Sequence, residues 1–135
     1  MEFEFENKNY PEFFPQDCPP KGAVQEEIRA YRFVKDKLLV VDDFKCHVEL
    51  KLKYTTSNKY PYAEYGISVN TNIEEMYSYL KMSPVMRKKF KYIAVGKTYI
   101  CTGKIKPTPG KIQPSHHSWY LYKESVPHKY FKLVE

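Results

Sequence analysis

The strongest periodic signal in the chain runs from residue 66 to residue 89. GISV (66–69) is a short apolar run between polar neighbours, which predicts a buried strand. Thr71-Asn72-Ile73-Glu74 has the form of a capping box. Behind it Ile73, Met76, Tyr77 and Leu80 recur at i, i+3, i+4 and i+7, the apolar face of a helix over 73–82. Ser83-Pro84 restarts a second short helix, with the serine as cap and the proline in the first turn. Further along, YIAVGKTYI (92–100) reads as a strand weakened at Gly96. GKIK (103–106) and SHHSWYLY (115–122) read as strands on either side of the proline-rich PTPGKIQP, and YFKLVE (130–135) as a closing strand.

Upstream the pattern is looser. IRAYRFV (28–34) is rich in β-formers and alternates well enough for a strand. LLVV follows the polar KDK turn, and Asp42 is placed to cap a helix through FKCHVEL (44–50). KYTTSNKYPYAEY (53–65) reads as a long loop with four tyrosines. Residues 1–22 carry Pro11, Pro15, Pro19 and Pro20 among Phe3, Phe5, Tyr10, Phe13 and Phe14, so regular structure there is limited to an edge strand at EFEF (2–5). The aromatics are too many for a free tail, and this segment is expected to pack on a single domain formed by 23–135. The expected fold class is α+β: a twisted, mostly antiparallel sheet of five to seven strands with two or three short helices.

Composition narrows the class. At 135 residues, 42% hydrophobic and 28% charged, the chain is long enough for one core and is neither disordered nor membrane-spanning. Its longest purely apolar run is Leu38-Leu39-Val40-Val41, and MEFEFENKNY has neither the basic nor the apolar region of a signal peptide. Cys18, Cys46 and Cys101 are sparse and odd in number, which suits a reducing compartment and a cytoplasmic location.

Charge points to the partner. The net charge is +6, with acids crowded before residue 18 and bases dominant from Lys81 onward, so an anionic partner is expected, with nucleic acid or a nucleotide first among them. SHHSWYLY gives that partner a place. On a strand Ser115, His117, Trp119 and Leu121 share one face, and His116, Ser118, Tyr120 and Tyr122 the other. Trp119 and Leu121 mark the core side, which leaves His116, Ser118, Tyr120 and Tyr122 beside water. If 103–106 pairs with this strand, Ile105 joins Trp119 inside while Lys104 and Lys106 edge the polar row. Lysines hold phosphates and tyrosine faces stack on bases. Arg32, a basic residue on an apolar strand, must meet either an acid such as Glu49 or an anionic ligand.

Several chemistries lack their motif. Adjacent histidines on a strand diverge, so no metal site is expected, and no GxSxG elbow or GxxxxGK[ST] loop is present.

The chain as a whole resembles a family of small uncharacterised bacterial proteins, through DCPP (17–20), YRFV (31–34), DF (43–44), GISVNT (66–71), KYIAVGK (91–97), GKIKPTP (103–109) and SHHSWY (115–120). That resemblance implies that Arg32, the PTP turn and the SHHSW box belong together. A shorter one is to ADP-ribosyltransferases: Arg32 on an early strand, followed by GISVNTNIEEM, is similar to the order of elements that embrace NAD in that superfamily. Its late strands direct transfer with a glutamate, whereas KTYICTGK and SHHSWYLY have none and Glu124 lies just beyond. Three functions are therefore expected in order: an intracellular binding module for a phosphate-bearing ligand, needing no cofactor; a nucleotide- or NAD-using transferase with Arg32 and His116 or His117 at its cleft; and a protein-interaction module acting through the N-terminal aromatics and the tyrosine loop.

Overall fold

The computed structural model describes residues 9–52 and 60–135. The strand expected at EFEF (2–5) and residues 53–59 of the expected tyrosine loop lie outside the described residues. Within them one sheet is built from β1 (Arg29–Val34), β2 (Ile67–Asn70), β3 (Tyr92–Lys97), β4 (Gly103–Pro107), β5 (His116–Leu121) and β6 (Lys132–Leu133). The order is β4-β5-β2-β1-β3-β6 and every pairing is antiparallel. Helices α1 (Ile73–Met82) and α2 (Pro84–Lys89) join it with three 3-10 turns. This is the α+β class that the two periodicities predict.

Alternation sorts the strands into two faces. On one, Ala30, Val34, Ile67, Val69, Ala94, Ile105 and Trp119 form the core with Phe44 and Phe131. The β4–β5 hairpin has the expected register, Ile105 opposite Trp119, and Trp119 is 1% exposed. Its ring lies 5.8 Å from that of Phe131. Gly96, which reads as a weak point of β3, is the seat for that phenylalanine: a Cβ there would stand 2.3 Å from the Phe131 ring.

Helices pack on the opposite face. Phe33 meets Tyr79 of α1 at 6.2 Å and Phe90, just past α2, at 5.8 Å. The inward tyrosine of α1 is thus Tyr79; Tyr77 is 42% exposed, contrary to the expected stripe. Capping is displaced by one residue. Asn72, not Thr71, accepts the Glu74 amide at 3.0 Å. Glu75 reaches instead to the start of β5, accepting the Ser115 amide at 2.8 Å and its hydroxyl at 2.6 Å. Ser83 caps α2 through the Met86 amide, with Pro84 in the first turn, as the sequence predicts.

Two expectations are corrected. FKCHVEL does not form a helix: Val41–Phe44 is a 3-10 turn with Asp42 inside it, and turns follow. Phe44 and Cys46 both enter the core, and an α-helix cannot bring residues two apart to one side. The polar row of β5 is not open to water either. Tyr120 is 1% exposed, Ser118 and Tyr122 are 4% exposed, and His116 is half-buried. Alternation puts them on the expected face, but Thr108 closes over His116 and Ser118, Gly66 lies against Tyr120, and the N-terminal chain covers Tyr122. Tyr10 packs on Tyr122 at 5.0 Å, Gln25 donates to the Tyr122 hydroxyl at 2.8 Å, and Val24 bridges Ile105 on the free side of β4.

Candidate anion-binding cavity

The site begins where two neighbouring strands part. β1 runs beside β3 along its whole length, and β2 beside β5, yet β1 and β2 meet only at Tyr31 and Asn70. Beyond that pair the sheet opens. A strand carbonyl left there needs a donor, because an unpaired buried backbone group costs about as much as a lost hydrogen bond. Arg32 supplies it. Its Nη1 donates to the Ser68 carbonyl at 2.8 Å and its Nε to the Asp43 carbonyl at 2.7 Å, while the guanidinium carbon stands 5.8 Å from the centre of the Phe44 ring.

These are carbonyls, not the carboxylate expected from Glu49 or another acid. Among the described residues no acid lies within ion-pair distance of Arg32. The Asp43 carboxylate is near enough to favour the charge, but its Oδ2 accepts the Val40 amide. Burial brings the guanidinium down to about 10, which leaves it charged at neutral pH. A guanidinium has five N–H donors, and Arg32 spends two on the backbone.

The opening forms a cavity of about 290 Å³ that runs through the gap between β1 and β2, from Arg32, Lys45, Cys46 and His47 on the core side to Phe33, Tyr79 and Phe90 on the helix side. Arg32, Lys45, Lys89, His47 and His116 bring positive or protonatable groups to it, and among the described residues no aspartate or glutamate lines it. Lys45 is paired with Asp42 at 2.9 Å, whereas Lys89 has no acid partner among the described residues and lies over the Phe90 ring at 5.3 Å. Phe33, Tyr79, Phe90, Met76 and Met86 supply an apolar wall. The chemistry offered is therefore cationic on one side and aromatic on the other. Ligand pockets usually run from roughly 300 to 1,000 Å³, so this one suits a small ligand.

Both histidines are shifted toward the neutral form. Burial is the main cause for His47, aided by the charges of Lys89 and Arg32, and it lowers the pKa below the ordinary imidazole value. Burial also leads for His116, with His117 and Arg32 acting in the same direction and the Thr108 carbonyl against them. His116 Nδ1 is 3.1 Å from that carbonyl and 2.9 Å from the Thr108 hydroxyl, which in turn meets Ser118 Oγ at 2.9 Å. With Nδ1 donating to the carbonyl, Nε2 of His116 keeps its lone pair.

Of the residues the sequence singles out, Arg32 and His116 meet in this cavity. His117 faces the core side, its Nδ1 2.9 Å from the Ser115 carbonyl. Ser118 reaches the site only through Thr108. Tyr120 and Tyr122 are buried, Lys106 donates to the Lys21 carbonyl at 2.8 Å, and Lys104 lines a separate shallow groove with residues 16–23. The expected stripe of Lys104, Lys106, His116, Ser118, Tyr120 and Tyr122 is thus broken up, each residue being taken by a different neighbour.

His47, Lys89, Phe33, Phe90 and Tyr79 are cavity residues that sequence reasoning missed. His47 was hidden by a helical reading of 44–50, and Lys89 by its place in a run of bases. No cluster of three His, Cys, Asp or Glu side chains that could hold a metal is found among the described residues. The three thiols are free; burial pushes Cys18 up to about 12 and raises Cys46, so neither is poised as a nucleophile. No described helix is long and apolar enough to cross a membrane. No protein-family model matches the chain, and no curated protein or solved structure matches it.

Proposed function

We propose that the chain binds a small phosphate-bearing ligand, a nucleotide in its simplest form, in the cavity between β1, β2 and the helices. The observation that carries this reading is Arg32: a charged, half-buried guanidinium with donors to spare and, among the described residues, no acid paired to it and no carboxylate in the cavity wall. A buried charge is costly unless paired, and a phosphate is the natural partner for a planar cation of this kind. Lys89 at the mouth adds a second charge, and Phe33, Phe90 and Tyr79 offer ring faces to a base. The three free thiols suit the cytoplasm as the place of action.

Calorimetric titration with AMP and with adenosine at low ionic strength tests the reading. AMP should bind and adenosine much more weakly. Lys89→Gln should weaken AMP by about tenfold, equivalent to about 1.4 kcal/mol. Equal binding of AMP and adenosine, or no binding of either, counts against a phosphate site.

A second reading has one observation in its favour. Arg32, which the resemblance to ADP-ribosyltransferases places at the NAD site, lines one cavity with His116 of the SHHSW strand, with Tyr31 beside them. An NAD-using transferase would use that cavity as its cleft, with NAD as the substrate. Against it, no acid among the described residues lines the cavity to direct transfer. Release of nicotinamide from NAD in the presence of the protein, lost in His116→Ala, would favour this reading; intact NAD after prolonged incubation would remove it.

A further inference from the structure

The positive charge of the cavity does not end at its mouth. Residues 81–91, KMSPVMRKKFK, carry Lys81, Arg87, Lys88, Lys89 and Lys91 with no acid among them, and all five side chains are exposed. Met86, Lys89 and Phe90 fall three and four residues apart and turn toward the cavity. Lys88 and Lys91 flank that face outside it. Arg87 is fixed by its own backbone, Nη1 donating to the carbonyls of Leu80 at 2.6 Å and Lys81 at 2.8 Å. None of the five is in an ion pair with an acid among the described residues.

A free mononucleotide needs one phosphate subsite, and Arg32 with Lys89 supplies it. Lys91 Nζ donates to the Arg87 carbonyl at 3.2 Å, but such a ligand leaves the charges of Lys88 and Lys91 without an anion. They suit a ligand with further phosphates on one side of the bound group. Resting on the nucleotide reading of the cavity, we propose that its ligand is an unpaired nucleotide of a single-stranded nucleic acid. The base enters against Phe33, Phe90 and Tyr79, and the adjoining phosphates run over α2 past Lys88 and Lys91. The cavity is too small to admit a base pair, so a duplex reaches it only by releasing a base, at a cost of a few kcal/mol. Aromatic stacking and backbone lysines are the two means by which single strands are held without base-edge readout.

The experiment compares AMP, a short oligoadenylate and the same oligoadenylate annealed to its complement, each titrated at several salt concentrations. The oligoadenylate should bind at least about tenfold more tightly than AMP at low salt. Its log affinity should fall with log salt at a slope of about −1.4 to −2.1, the value for two or three neutralised phosphates on a single strand. Annealing should weaken it. The double variant Lys88→Glu, Lys91→Glu replaces no residue that lines the cavity, and it should abolish the oligoadenylate advantage while AMP affinity falls far less. Lys88→Gln, Lys91→Gln gives the same comparison without charge reversal. AMP bound as tightly as the oligoadenylate, or both lowered alike by the variants, overturns the inference and leaves the cavity reading standing. Annealed oligoadenylate bound as tightly as the single strand overturns the unpaired nucleotide. Failure of every ligand overturns both.

Discussion

Arg32 of β1 donates to the carbonyl of Ser68 in β2 at 2.8 Å, so a side chain takes the place of a ladder bond where the two strands part. One residue thereby closes the sheet and charges the cavity. Lysine has a single ammonium and cannot span the carbonyls of Ser68 and Asp43 from one position. Arg32→Lys should cost about 1–3 kcal/mol, the penalty for a buried group left without its partner. Urea unfolding should show a lower midpoint with unchanged slope. An unchanged midpoint would mean that the strands are held together by something other than this bridge.

Gly96 makes a separate claim about the core. Alanine there would drive a Cβ into the Phe131 ring, and that ring also contacts Phe44 at 5.1 Å and Trp119 at 5.8 Å. Overpacking a filled core costs roughly 1–3 kcal/mol, so Gly96→Ala should lower thermal stability by that amount. Emission from Trp119, the chain's single tryptophan, should shift as the rings move apart. A variant as stable as the wild type, with unaltered emission, would show that Phe131 has room to yield.

The two cavity histidines predict opposite pH effects in the free and bound protein. Burial lowers both below the ordinary 6.5, so the folded chain favours their neutral forms. Their contribution to stability is present above 6.5 and is lost as the pH falls and the unfolded state takes up protons first. Thermal stability of the free protein should therefore decline from pH 6.5 toward 5. A bound anion reverses the preference, since imidazolium is favoured beside negative charge. Affinity for AMP methyl ester, whose diester keeps its charge in this range, should rise over the same interval with proton uptake. Calorimetry in two buffers of different ionisation heat reads that uptake directly; affinity that stays flat from pH 7 to 5 would place both histidines away from the ligand.

Much of the fold is legible in the sequence because its signals are local. Ile105 opposite Trp119 follows from alternation, and Ser83-Pro84 marks α2 by cap chemistry that involves only neighbouring residues. What lies over a face is a different matter. Alternation groups Ser118 with Tyr120 and Tyr122, but Ser118 is closed over by Thr108, Tyr120 lies against Gly66, and Tyr122 is covered by Tyr10 and Gln25 from about a hundred positions away; no pattern within β5 reports any of these. Arg32 was conspicuous as a base on an apolar strand, yet its partner is a backbone carbonyl freed by the divergence of two strands. Backbone carbonyls have no sequence signature. His47 was misplaced for a related reason: the turns around Phe44 and Cys46 are set by which side chains the core accepts rather than by helix propensity.

The central claim, a phosphate-bearing ligand between β1, β2 and the helices, is tested most directly by titrating AMP into isotope-labelled protein and following the NMR spectrum. The account predicts concerted shifts at the Arg32 Nε–H, the rings of His47, His116 and Phe90, and the backbone of Met86 to Phe90, saturating with one affinity. Shifts confined to Lys104, Lys106 and the segment 16–23, or none at the Arg32 Nε–H at saturating AMP, would contradict it.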